Sequence, residues 1–96
     1  MLVLVAYDVS TQTPEGRRRL RRVARQCENY GTRVQKSVFE CVVRQQDWII
    51  FRAGLLKEYD SGQDSLRFYF LDETARRKTE HHGCAKPTDV EGTLIV

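Results

Sequence analysis

The chain has 96 residues, a hydrophobic fraction of 41% and a formal net charge of +3. That length holds one domain with one small core and excludes two, and so modest a charge excludes any argument for a nucleic-acid partner from bulk charge. Distribution says more: twelve of the sixteen basic residues are Arg, and six lie between Arg17 and Arg25.

The first element is an apolar run, Leu2 to Tyr7, ending at Asp8. It lacks strict alternation, which suits a central strand covered on one face and partly on the other. Thr13-Pro14-Glu15 then supplies an N-cap, a first-turn proline and a first-turn acid. Leu20, Val23, Ala24 and Cys27 follow at helical spacing, and Gly31 is read as the C′ stop. The result is a helix with a narrow apolar stripe and a broad basic face.

Thr32 to Lys36 and Ser37 to Val43 read as two strands rich in β-branched residues, with a tight turn or irregularity near Lys36-Ser37. Trp48, Phe51, Leu55 and Tyr59 recur every three or four residues, predicting a second helix from about Gln46 to Tyr59. Ser61 to Asp64 is a loop, Leu66 to Leu71 a fourth strand, and Gly92 to Val96 a short terminal strand. The order β-α-β-β-α-β is the ferredoxin-like pattern of an α+β fold, with two helices on one face of a four-stranded antiparallel sheet.

The fourth strand belongs at an edge in this topology, yet both of its faces are largely apolar, and an exposed edge of that kind aggregates. The terminal Gly-Thr-Leu-Ile-Val run is the expected cover, folding back or adding to a partner subunit in a homodimer. Residues 1–75 form the nucleic-acid-binding unit in this reading, and residues 76–96 an extension of the same domain that stabilises the dimer.

Cys27, Cys41 and Cys84 are odd in number and lack CxxC spacing, so neither a disulfide framework nor a structural zinc site is indicated. No basic region precedes the first apolar run, and no segment approaches about 20 apolar residues. A soluble, cytoplasmic protein with no membrane contact is expected.

Asp8 carries the chemistry of this reading. A carboxylate at the rim of a rigid sheet stays open to solvent, and here it precedes the densest guanidinium cluster in the chain. Arg supplies a planar bidentate fork for phosphate, so the pairing suggests a polyanion and a divalent metal.

The segments LVLVAYDVS, RRRLRR, YGTRVQKSVFECVV and DSLRFYFL, from Met1 to about Leu71, resemble the CRISPR-associated protein two family. The resemblance implies a small homodimeric partner of the CRISPR integrase subunit, active in spacer acquisition and antiviral defence. It also implies a metal-dependent nuclease acting on RNA or DNA. The family's metal-binding aspartate matches Asp8, so Asp8 is the implied catalytic and metal residue, with Mg²⁺ or Mn²⁺ as the cofactor. The family's basic residues at the start of the first helix match Arg17 and Arg19, with Arg18 between them; the Arg, Ser and Phe of its second and third strands match Arg33, Ser37 and Phe39.

Each assignment has a plainer rival. Asp8 could instead cap the Val9–Thr13 loop. The helix cluster, from which Arg17, Arg18, Arg19 and Arg22 are taken with Arg33 as phosphate contacts, could be a solvated face. Tyr7 and Phe39, read with Ser37 as support for the site, are aromatic positions that more often belong to the core. His81-His82 near Cys84 reads as polar loop rather than metal site. A single carboxylate is also a poor cage, which two copies of Asp8 across a dimer axis would remedy. The alternative to catalysis is an architectural subunit that bridges integrase copies and holds duplex DNA. A small-molecule regulatory domain would leave the basic helix without a purpose.

Overall fold

The computed structural model describes residues 1–84. Its elements are β1 (Leu2–Asp8), α1 (Pro14–Tyr30), β2 (Thr32–Gln35), β3 (Val38–Val42), α2 (Gln45–Glu58) and β4 (Ser65–Leu71), followed by a 3₁₀ turn at Glu73–Arg76. The sheet order is β2-β3-β1-β4, with every neighbouring pair antiparallel. This is the expected ferredoxin-like α+β arrangement. The anticipated terminal strand at Gly92–Val96 lies outside the described residues.

Alternation along β1 sends Val3, Val5 and Tyr7 toward the helices. There they join Phe39 and Cys41 of β3, Val23 and Cys27 of α1, and Trp48, Phe51 and Leu55 of α2. Burial of each large side chain in this cluster stabilises the fold by about 2 kcal/mol. Leu4, Ala6 and Asp8 take the opposite face, the one without helices. On that face the chain over Glu73–His81 walls a cavity of about 700 Å³ with Leu2, Leu4, Val38 and Val42.

The start of α1 follows the sequence signals. Thr13 is extended, its Oγ1 accepts from the Gly16 N–H at 3.1 Å, and Pro14 occupies the first turn. The end does not. Gly31 stops the helix in an extended conformation (φ −155°) rather than a left-handed one. Its glycine is required by close approach instead: a Cβ there would lie 2.4 Å from Cys41 Sγ and 2.5 Å from the Glu40 carbonyl.

β2 and β3 join through a turn at Lys36-Ser37, and their register also shifts between Arg33 and Gln35. β4 is an edge with apolar exposure as anticipated, Phe70 being 60% and Tyr69 40% accessible.

Candidate metal and nucleic-acid site

Asp8 is the last residue of β1 and pairs with Ser65, the first of β4. Because Tyr7 turns into the core, Asp8 turns out on the helix-free face and is exposed. Its carboxylate has no hydrogen bond or ion pair among the described residues. The capping role that rivals metal binding is therefore unfilled by Asp8.

Asp64 fills it instead. Its side chain is fully buried, and it accepts the Ser10 N–H at 3.0 Å and the Asp60 N–H at 2.9 Å. Arg19 donates to the same carboxylate from Nε at 2.8 Å and from Nη2 at 3.2 Å. The Arg19 hydrogen bonds, with help from the two backbone donors, hold the Asp64 carboxyl down at about 2. Nothing in the sequence marks this pair beyond an Asp at the end of a glycine-containing loop.

The arginines divide by what they touch. Arg19 is committed to Asp64 and is not among the exposed cations. Arg17 donates to the Thr11 carbonyl at 3.1 Å, across the loop that follows Asp8. Arg18 lies 3.5 Å from Glu15, and Arg22 is hydrogen-bonded to Glu58 on α2. Arg21 and Arg25 are exposed with no partner among the described residues. Arg18, Arg21, Arg22 and Arg25 recur at i, i+3, i+4 and i+7, so they form one stripe facing away from buried Val23 and Cys27. Arg21 and Arg25 are the functional candidates that the residue-by-residue resemblance omits, and helical periodicity alone finds them.

Arg33 does not reach Asp8. It lies opposite Phe39 on the helix side of the sheet, with its guanidinium 5.1 Å from the Phe39 ring centre and 3.8 Å from Glu28. Phe39 is wholly buried and Tyr7 nearly so, their rings 6.2 Å apart, so both build the core beneath the strand end. Tyr7 Oη donates to the Lys36 carbonyl, and burial raises its phenol above the ordinary value. Ser37 acts through its backbone, accepting the Tyr7 N–H at 3.0 Å.

Burial pushes the Cys27 and Cys41 thiols up to about 12, which keeps them protonated and removes them as nucleophiles or thiolate ligands at neutral pH. His82 stands 3.5 Å from Glu80, and the buried Nε2 of His81 has no hydrogen-bond partner among the described residues. No trio of His, Cys, Asp or Glu among the described residues could hold a metal, and no helix there is long and apolar enough to cross a membrane. Within one chain, the hard-oxygen donor open to solvent at the strand rim is Asp8.

The family described as CRISPR associated protein Cas2 matches residues 1–79. The CRISPR-associated endoribonuclease Cas2 of Chlorobaculum tepidum is 58% identical over 96 residues, covering all of both chains. The CRISPR-associated endonuclease Cas2 of Halalkalibacterium halodurans is 45% identical over 95 residues, covering 99% of each. The crystal structure of Streptococcus pyogenes Cas2 at pH 6.5 superposes with a TM-score of 0.78 at 48% identity, covering 86% of this chain and 100% of that one.

Proposed function

The chain belongs to the Cas2 family of CRISPR-associated proteins, and from that premise we propose that it is a metal-dependent endonuclease of CRISPR adaptation in which Asp8 holds the divalent cation. The observation that carries this reading is the Asp8 carboxylate, exposed at a rigid strand end and without any partner among the described residues. A carboxylate that satisfied the loop would be occupied; Asp8 is available. The endonuclease and endoribonuclease names of its relatives agree with that chemistry.

One hard carboxylate fits Mg²⁺ or Mn²⁺, since Mg²⁺ commonly takes one or two carboxylates plus substrate phosphate and keeps several waters. Bound there, the ion would supply Lewis-acid stabilisation of charge on the scissile phosphate. A two-fold homodimer would bring a second Asp8 to the same point. The apolar helix-free face (Leu4, Ala6, Val38, Val42) and the exposed β4 edge support such a dimer. Arg18, Arg21, Arg22 and Arg25, with Arg17 at the loop, would hold the nucleic-acid backbone without reading bases.

The second reading, an architectural subunit that carries duplex DNA beside the integrase during spacer acquisition, is favoured by one observation. The arginine stripe lies on the outer surface of α1, whereas Asp8 lies on the opposite face of the sheet. Binding and cutting are then separable. Asp8→Ala tests both readings: cleavage of RNA and DNA should vanish, with duplex binding retained. Spacer acquisition by cells carrying Asp8→Ala then reports whether cutting serves it.

A further inference from the structure

Asp8 is bracketed by a single buried side chain. On one side Asp8 pairs with Ser65, which follows Asp64 in the chain. On the other side Ser10, two residues beyond Asp8, gives its N–H to Asp64 Oδ1. The path from Asp8 through Val9 and Ser10 to Asp64, then Ser65 and back, is a small closed ring. Its hub has four donors, two backbone N–H groups and two from Arg19, which match the four acceptor sites of a carboxylate. The Ser10 carbonyl also packs closely against α1, for a Cβ on Gly16 would lie 2.0 Å from it. The two peptide groups that flank Ser10 are thus engaged on both sides, the first bonded to Asp64 and the second packed against the start of α1.

We propose that Asp64, locked by Arg19, is a positioning residue for Asp8: it fixes the β1–α1 loop so that the Asp8 carboxylate meets the metal in one orientation. This rests on the reading of Asp8 as the metal ligand and adds the support that one ligand per chain requires. A site built from so few protein ligands depends on each being held within about 0.5 Å. Partners that hold a metal ligand typically matter by about 10–100-fold in metal affinity or activity. The low titration of the Asp64 carboxyl keeps the hub charged throughout the range in which a nuclease would work.

The rival role for Arg19 is direct phosphate binding, and the two roles separate cleanly. Arg19→Lys keeps the charge that a phosphate needs but removes the two-pronged fork that Asp64 needs. Asp64→Asn keeps the shape but sets an NH₂ against N–H donors. Both variants, with Asp8→Asn as control, would be assayed for Mn²⁺ affinity by calorimetry, kcat and KM for RNA cleavage, and salt dependence of duplex binding. Measurements are made at a temperature where circular dichroism shows each variant folded. Positioning predicts that Arg19→Lys and Asp64→Asn each lose about tenfold or more in Mn²⁺ affinity and kcat, with KM and salt slope unchanged. Mn²⁺ affinity and kcat within twofold of the parent, or a loss confined to KM and salt slope, would overturn it. Parental Mn²⁺ affinity in Asp8→Asn would instead overturn the assignment of Asp8, and the proposal with it. The unaltered protein supplies a test independent of variant folding. The Ser10 amide should exchange with solvent as slowly as those of Val3 and Val5, and exchange at the rate of an open loop would overturn the proposal.

Discussion

Arg19 and Asp64, 45 residues apart in sequence, meet through two hydrogen bonds of 2.8 and 3.2 Å, with the carboxylate wholly out of water. This pair changes how the basic helix is understood. One of its six arginines is structural, and the exposed charge moves to a stripe on the outer side of α1.

The pair contributes to acid stability. The Asp64 carboxyl is held near 2, below its ordinary 3.8, so the unfolded chain takes up this proton at higher pH than the folded one. Its contribution is complete above about pH 4 and is lost as pH falls through about 2. Asp64→Ala leaves the Arg19 charge and the Ser10 N–H without their acceptor and should cost about 3 kcal/mol at neutral pH. Urea titrations at several pH values should show this loss shrinking toward pH 2.

In the proposed function the stripe sets nucleic-acid affinity. Arg21→Ala and Arg25→Ala should each weaken binding to duplexes of any sequence. Each should also reduce the log–log salt slope by about 0.9 for every phosphate that is no longer neutralised. Fluorescence anisotropy on random-sequence DNA checks this, and an unchanged slope would return both residues to a merely solvated face.

Two glycines mark where backbones meet. Gly16→Ala drives a Cβ to 2.0 Å from the Ser10 carbonyl, and Gly31→Ala drives one to 2.5 Å from the Glu40 carbonyl. Neither neighbour is a flexible side-chain end. Each change should cost about 2 kcal/mol, or on the order of 10 °C in Tm for a domain of this size, measured by thermal melts. Gly62→Ala, whose Cβ would meet one Asp60 side-chain oxygen at 3.3 Å, is the mild comparison.

In the proposed homodimer the β4 edge is covered. With Tyr69, Phe70 and Leu71 exposed on the described chain, removal of residues from Gly92 onward should weaken the dimer or provoke aggregation. A truncated chain that remained a fully stable dimer in light scattering would contradict that role.

Much of the fold is legible in the sequence because its signals are local. The apolar run of β1, the Thr13 cap and the Trp48-Phe51-Leu55 spacing each depend on residues within a few positions, and all three elements form where those signals stand. The site is harder to read. Asp64 meets Ser10 across 54 positions, and no periodicity encodes a contact of that range. The capping task that sequence alone could assign to Asp8 is performed by a residue from another loop. Gly31 ends α1 at the expected position for a different reason, the nearness of β3, which only the folded sheet reveals.

In the proposed function Asp8 holds the metal for cleavage while the arginine stripe binds nucleic acid independently of it. The most direct test is the single-turnover cleavage rate of RNA and duplex DNA by Asp8→Asn and the parent, in Mg²⁺ or Mn²⁺ and in EDTA, alongside Kd for a random duplex. The account predicts that the parent cuts only with metal, that Asp8→Asn falls to background, and that both bind the duplex within twofold. Cleavage by Asp8→Asn at the parental rate, with metal or in EDTA, would contradict it.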